Sequence, residues 1–196
     1  LNFYVYIPTH KQVFEDTGVK MKTILASVLV LLSLNVMASD LPADKKAALD
    51  KQIVTVKTWA AAKTVVDAVK ASNASPEGKD MTQDKWAKLS VLDPAIRGFT
   101  KNAAAEELKK SKGPAVTEAF LNNSAGTKVA FLAKTSNWSH KGKPKHDDPM
   151  AGKNWIGKVE VDESSGKSQI QVAVPVSDGG AVIGSLVVGF SVDDLK

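Results

Sequence analysis

The 196-residue sequence contains no cysteine, which excludes disulfides, thiolate metal sites and cysteine nucleophiles. Arginine occurs once, at Arg97, and the lysines are interspersed with acids. Nucleic-acid surfaces gather Lys and Arg on one face and exploit the guanidinium fork, so no nucleic-acid partner is expected. The formal charge is +5; residues 1–38 hold three basic and two acidic groups, which leaves a modest +4 on the remainder. No apolar run reaches the roughly 20 residues of a comfortable membrane span. A Gly-x-Ser-x-Gly elbow, a Ser-x-x-Lys with its usual partners and a glycine-rich phosphate loop are also lacking. Asp162-Glu163 falls at a turn between two strands, where acids are ordinary. Neither catalysis nor a cofactor is expected.

What is present describes a globular protein, with 43% hydrophobic and 24% charged residues. Met21-Lys22, the uncharged run Ile24 to Leu34 and the end Val36-Met37-Ala38 are the three parts of a secretory signal, with cleavage before Ser39. Residues 1–20 fit nothing that follows and read as a mis-assigned upstream extension. The expectation is a signal peptide over 21–38 and a single domain over 39–196, periplasmic or secreted. Its roughly 155 residues bury about 70% of the unfolded chain's surface without staples.

Asp40-Leu41-Pro42 opens a helix, and Leu49, Ile53, Val56, Ala60, Val66 and Val69 carry one apolar stripe to about Ala71. That stripe serves either to cover a sheet or to pack on a second copy as a homodimer. Ser72 to Gly78 is a turn. Thr82 caps a short helix with Trp86 and Leu89, closed by Asp93-Pro94; Asn102 to Lys110 forms another, stopped by Gly113-Pro114. Beyond Pro114 the period becomes two. Val116 to Leu121 and Lys128 to Leu132 flank an Asn/Ser/Gly turn as a hairpin, and a polar loop runs from Thr135 to Asn154. Strands follow at Ile156–Val161, Gln169–Val176 and Val182–Val192, with Ile170, Val172, Val174 and Val176 on one face. Helices first, then about five antiparallel strands, give an α+β domain with helices over one face of the sheet.

Specific residues carry a resemblance. They are Val116-Thr117-Glu118-Ala119-Phe120, Asn123 to Gly126, Val129-Ala130, Lys134-Thr135-Ser136 and Val161 to Ser164. Gln171 to Val176, Ile183-Gly184 and Val188-Gly189 continue it, and Asp93-Pro94 and Asn102 to Leu108 form its helical lead-in. Over residues 114–193 the chain resembles the PDC (Cache-type) sensor domains of bacterial extracytoplasmic signalling. The resemblance implies a PAS-like fold that binds a small metabolite, often a carboxylate or amino acid, between the sheet and a loop folded over it. It also implies a membrane-bound signalling partner, and here a free-standing version of the domain. Asn137 stands where the family places an acid, and lysines replace later acidic positions, so ligand identity does not carry over.

The segment from Lys134 to Trp155 holds the densest functional vocabulary: Trp138, Trp155, Thr135, Ser136 and lysines 134, 141, 143 and 153. An aromatic wall with a few hydroxyl or cationic donors suits an anionic metabolite. The candidate ligand-binding residues are therefore Thr135, Ser136, Trp138, Lys143 and Trp155. On the plainer reading the tryptophans only pack the loop onto the sheet and the lysines are solvated. His140, His146, Asp147 and Asp148 have metal-ligand chemistry, but their spacing on a loop is that of an exposed turn ending at Pro149, and no metal is expected.

Overall fold

The computed structural model describes residues 41–161 and 168–196; the segments expected above to be a leader and an upstream extension, and the turn expected at Asp162-Glu163, lie outside them. Six helices and five strands follow in the order α1 (Ala43–Ala60), α2 (Lys63–Ala74), α3 (Gln83–Lys88), α4 (Pro94–Lys101), α5 (Ala103–Ser111), β1 (Val116–Asn123), β2 (Lys128–Phe131), α6 (Pro144–Met150), β3 (Trp155–Val161), β4 (Ser168–Asp178) and β5 (Ala181–Ser191). The strands form one antiparallel sheet in the order β2-β1-β5-β4-β3. The class is α+β, with a PAS-like arrangement of strands. None of the described helices is long and apolar enough to cross a membrane.

The stripe on α1 packs on β4 and β5 of its own chain, burying Leu49, Ile53, Val56 and Ala60. The single long helix expected to reach Ala71 is two helices. Ala62 adopts extended backbone, φ −60° and ψ 131°, and Val65 and Val66 N–H groups bond back to its carbonyl. No Gly or Pro marks this break. It lets α1 follow β4 while α2 turns toward β1 and α5, so tertiary packing overrides a continuous helical pattern.

Asp93-Pro94 opens a helix rather than closing one: the Asp93 carboxylate accepts from Ala95 N at 2.8 Å and proline sits in the first turn of α4. Thr82 and Asn102 cap α3 and α5 as their sequences predict. Asn102 also donates from Nδ2 to Val129 O, joining the helical layer to β2.

The sheet separates two cores. Ile170, Val172, Val174 and Val176 of β4 and Leu186, Val188 and Phe190 of β5 face α1, α2 and α5. The opposite face is not bare, as a sheet covered on one side would leave it. At one end it carries an aromatic cluster in which Trp86 of α3 and Phe99 of α4 meet Phe131 and Trp138, and α6 lies across β5, β4 and β3. A cavity opens between them.

Candidate functional site

Strand alternation determines what that second face presents. From β1 come Glu118, Phe120 and Asn122; from β4, Gln169 and Gln171; from β3, Trp155 and Gly157. Glu118, Phe120, Trp155, Gln169 and Gln171, with Gly157 and the segment from Ala133 to Asn137, line an open concavity of about 840 Å³, within the range of small-molecule sites.

The loop expected between Thr135 and Asn154 contains α6, begun by Pro144 in its first turn. This short helix lays two consecutive residues on the sheet. Lys145 Nζ donates to Gln171 Oε1 and stands 5.6 Å from the centroid of the Trp155 ring. Gln171 and Gln169 then donate from Nε2 to the same Glu118 oxygen, each at 2.5 Å. A cation and a carboxylate are thus held in one cavity, joined through a carboxamide. Burial lowers the Lys145 pKa, and Glu118 partly opposes that shift.

Beneath this chain lies a buried polar cluster. Lys128 is 1% exposed; its Nζ donates to Asn122 Oδ1 at 2.8 Å, lies 2.5 Å from His140 Nδ1 and stands 4.4 Å from the Phe120 ring centroid. His140 stacks on Phe120 with centroids 4.8 Å apart. Asn122 Nδ2 donates to Ser185 Oγ, which also meets His146 Nδ1 at 2.8 Å. Desolvation, reinforced by the nearby Lys145 charge, pushes the Lys128 pKa well below the usual amine range. Desolvation first and the Lys128 charge second take the His140 pKa down to about 3. The His146 pKa is lowered by burial, against the effect of its bond to the Ser124 backbone. Both imidazoles are therefore neutral at pH 7. They are buried, not on an exposed turn, because α6 and the hairpin wrap them. Among the described residues no group of three or more His, Asp or Glu is placed to hold a metal ion.

Of the five residues proposed from the sequence, Thr135, Ser136 and Trp155 line the cavity. Thr135 Oγ1 donates to Asn137 O, while its carbonyl accepts from Trp86 Nε1 at 2.7 Å. Gln83 grips the same segment, donating to Ser136 O and accepting from Trp138 N. Trp155 folds back over Gly157: a Cβ there would lie 2.7 Å from the indole Cη2. Trp138 and Lys143 are placed elsewhere. Trp138 is buried in the aromatic cluster, 5.0 Å from Trp86 and 5.6 Å from Phe99 between centroids, and holds the loop down. Lys143 is exposed immediately before α6. Lys143 is still in extended backbone there, and two residues on, inside α6, Lys145 occupies the cavity instead.

The residues missing from the sequence-derived set are Glu118, Lys145, Gln169 and Gln171, with His140 and Phe120 as wall. One usable signal existed. Gln169 and Gln171 alternate with Ile170 and Val172, and polar residues opposite an apolar face mark either solvent or a site. Lys145 gave no such signal, because a helix opened by one proline and holding another at Pro149 reads as loop.

No family model and no curated protein matches this chain. Among solved structures it is similar to the sensor domain of the histidine kinase DctB of V. cholerae, at 14% identity over 75% of this chain and 52% of that one, with a TM-score of 0.45. The ligand-binding domain of the Pseudomonas aeruginosa amino acid chemoreceptor PctC, in complex with GABA, is similar at 13% identity over 78% of this chain and 58% of that one, TM-score 0.45. That of the Campylobacter jejuni chemoreceptor Tlp3, in complex with L-valine, is similar at 14% identity over 79% and 65%, TM-score 0.40. This chain spans between 52% and 65% of these three domains.

Proposed function

We propose that this protein is an extracytoplasmic sensor domain that binds a small metabolite, a carboxylate or amino acid, and does not transform it. The observation that carries this reading is the Lys145–Gln171–Glu118 chain in an aromatic-walled cavity. Its two charges are separated by one carboxamide and two hydrogen bonds, roughly 8 Å at full stretch. An α-amino acid spans that gap with one charge-assisted bond at each end. Trp155 and Phe120 supply apolar wall, and Thr135 and Ser136 supply rim donors. The domain over 39–196 would reach its location through the 21–38 leader and report to a membrane-bound partner.

The test is a melt and calorimetric screen of the protein against small carboxylates and amino acids. A bound member at a hundredfold over its Kd raises stability by about 2.7 kcal/mol. Lys145→Met and Glu118→Gln should each weaken that response while leaving the fold intact. If no member of a broad panel shifts the melt, the reading falls, and a module acting through protein–protein contacts takes its place.

A further inference from the structure

In the row Glu118–Gly189–Gln171, β5 lies between β1 and β4 and contributes a glycine. Side chains two strands apart stand roughly 10 Å from each other at their Cα atoms, with the middle strand's side chain between them. Here nothing stands between. Glu118 leans over the bare backbone from one side, Gln169 and Gln171 from the other, and they meet above Gly189. A Cβ at 189 would lie 2.5 Å from Gln169 Nε2, 2.8 Å from Glu118 Cγ and 2.9 Å from Thr117 Oγ1. One of those atoms, Gln169 Nε2, is the end of a flexible side chain, and Gly189 is not among the positive-φ glycines. Alanine therefore fits the backbone but drives the bridging side chains apart.

We propose that Gly189 is a positioning residue that sets the cavity's selectivity for ligands carrying an ammonium group, by letting Gln169 and Gln171 pin the Glu118 carboxylate in the floor. This rests on the amino-acid reading above. A carboxylate fixed by two amide donors is a preorganised acceptor, and a freed one is mobile and hydrated, so its contribution to binding an amine falls. Lys145 is anchored from α6, and its grip on a ligand carboxylate does not depend on position 189.

The experiment compares wild type, Gly189→Ala and Glu118→Gln by calorimetry with paired probes: alanine and propionate, glutamate and glutarate, phenylalanine and 3-phenylpropionate. Wild type is expected to prefer at least one amino acid over its deaminated partner by about tenfold or more, the worth of a hydrogen bond to a charged group. Gly189→Ala and Glu118→Gln should both bring that ratio to within about threefold of unity, and Gly189→Ala, which keeps the carboxylate, should leave the deaminated partner's affinity within about threefold. Gly189→Ala keeping the wild-type ratio overturns the proposal, as does losing both partners' affinities equally. A second arm needs no ligand. The Gln169 and Gln171 side-chain amide protons should be exchange-protected in wild type and lose that protection in Gly189→Ala. Protection that survives the substitution also overturns it. Amide behaviour as expected with no probe bound by wild type refutes the binding reading, and selectivity with it, while leaving the geometry standing.

Discussion

His140 gives this protein an acid-sensitive core whose size follows from its surroundings. The ring is 4% exposed, stacked on Phe120, with Nδ1 facing the Lys128 amine and further positive charge at Lys145 and Lys143. Unfolded, it takes up a proton near pH 6.5; folded, only near about 3. Between those values the unfolded chain binds the extra proton, so His140's contribution is complete above pH 6.5 and disappears as the pH falls toward 3. Lowering the pH from 6.5 to 4 should remove about 3 kcal/mol through this residue alone. His146 is shifted in the same direction and adds to the total, so the informative quantity is a difference. Replacing His140 with Gln keeps an acceptor for Lys128 and removes the titration. Urea unfolding at a series of pH values should show wild type losing about 3 kcal/mol more than His140→Gln across that interval. Equal losses would refute the reasoning, as would a His140 ring resonance that titrates near pH 6.5.

Other expectations follow from the same geometry. Trp138→Ala should cost about 3–5 kcal/mol in urea unfolding, as a buried aromatic in a packed cluster does, whereas Trp155→Ala should act mainly on ligand affinity. If Trp138→Ala instead spared stability and abolished binding, the division between these tryptophans would be wrong. Lys145→Met should weaken binding of a carboxylate ligand by about tenfold or more in calorimetry, and Lys143→Met by less than about twofold. Asn73 ties α2 to the hairpin tip and to β5, accepting from Ser124 N and Oγ and donating to Ile183 O. Asn73→Ala should therefore lower stability by about 1–3 kcal/mol, measured as a shift in the urea midpoint.

The sequence by itself determined the elements that local rules can specify. Period-two alternation located β4 and β5, since alternate residues such as Ile170, Val172, Val174 and Val176 fall on one face, and two apolar runs around an Asn/Ser/Gly turn located β1 and β2. Thr82 and Asn102 marked helix starts through side-chain bonds to the backbone N–H three residues on. The resemblance over residues 114–193 agrees with the sheet that forms. Tertiary structure alone decided where α1 ends, since Ala61-Ala62 breaks a helix only to follow the sheet. It also decided which lysine enters the cavity. Lys143 and Lys145 are chemically identical and two positions apart, and only the seating of α6 on β4 and β5 distinguishes them. Glu118 and Gln171 share a site because strands distant in sequence are neighbours but one in the sheet, with a glycine between them. Such convergence depends on strand order and register across residues 118, 171 and 189, a relation among non-local partners that no local pattern encodes.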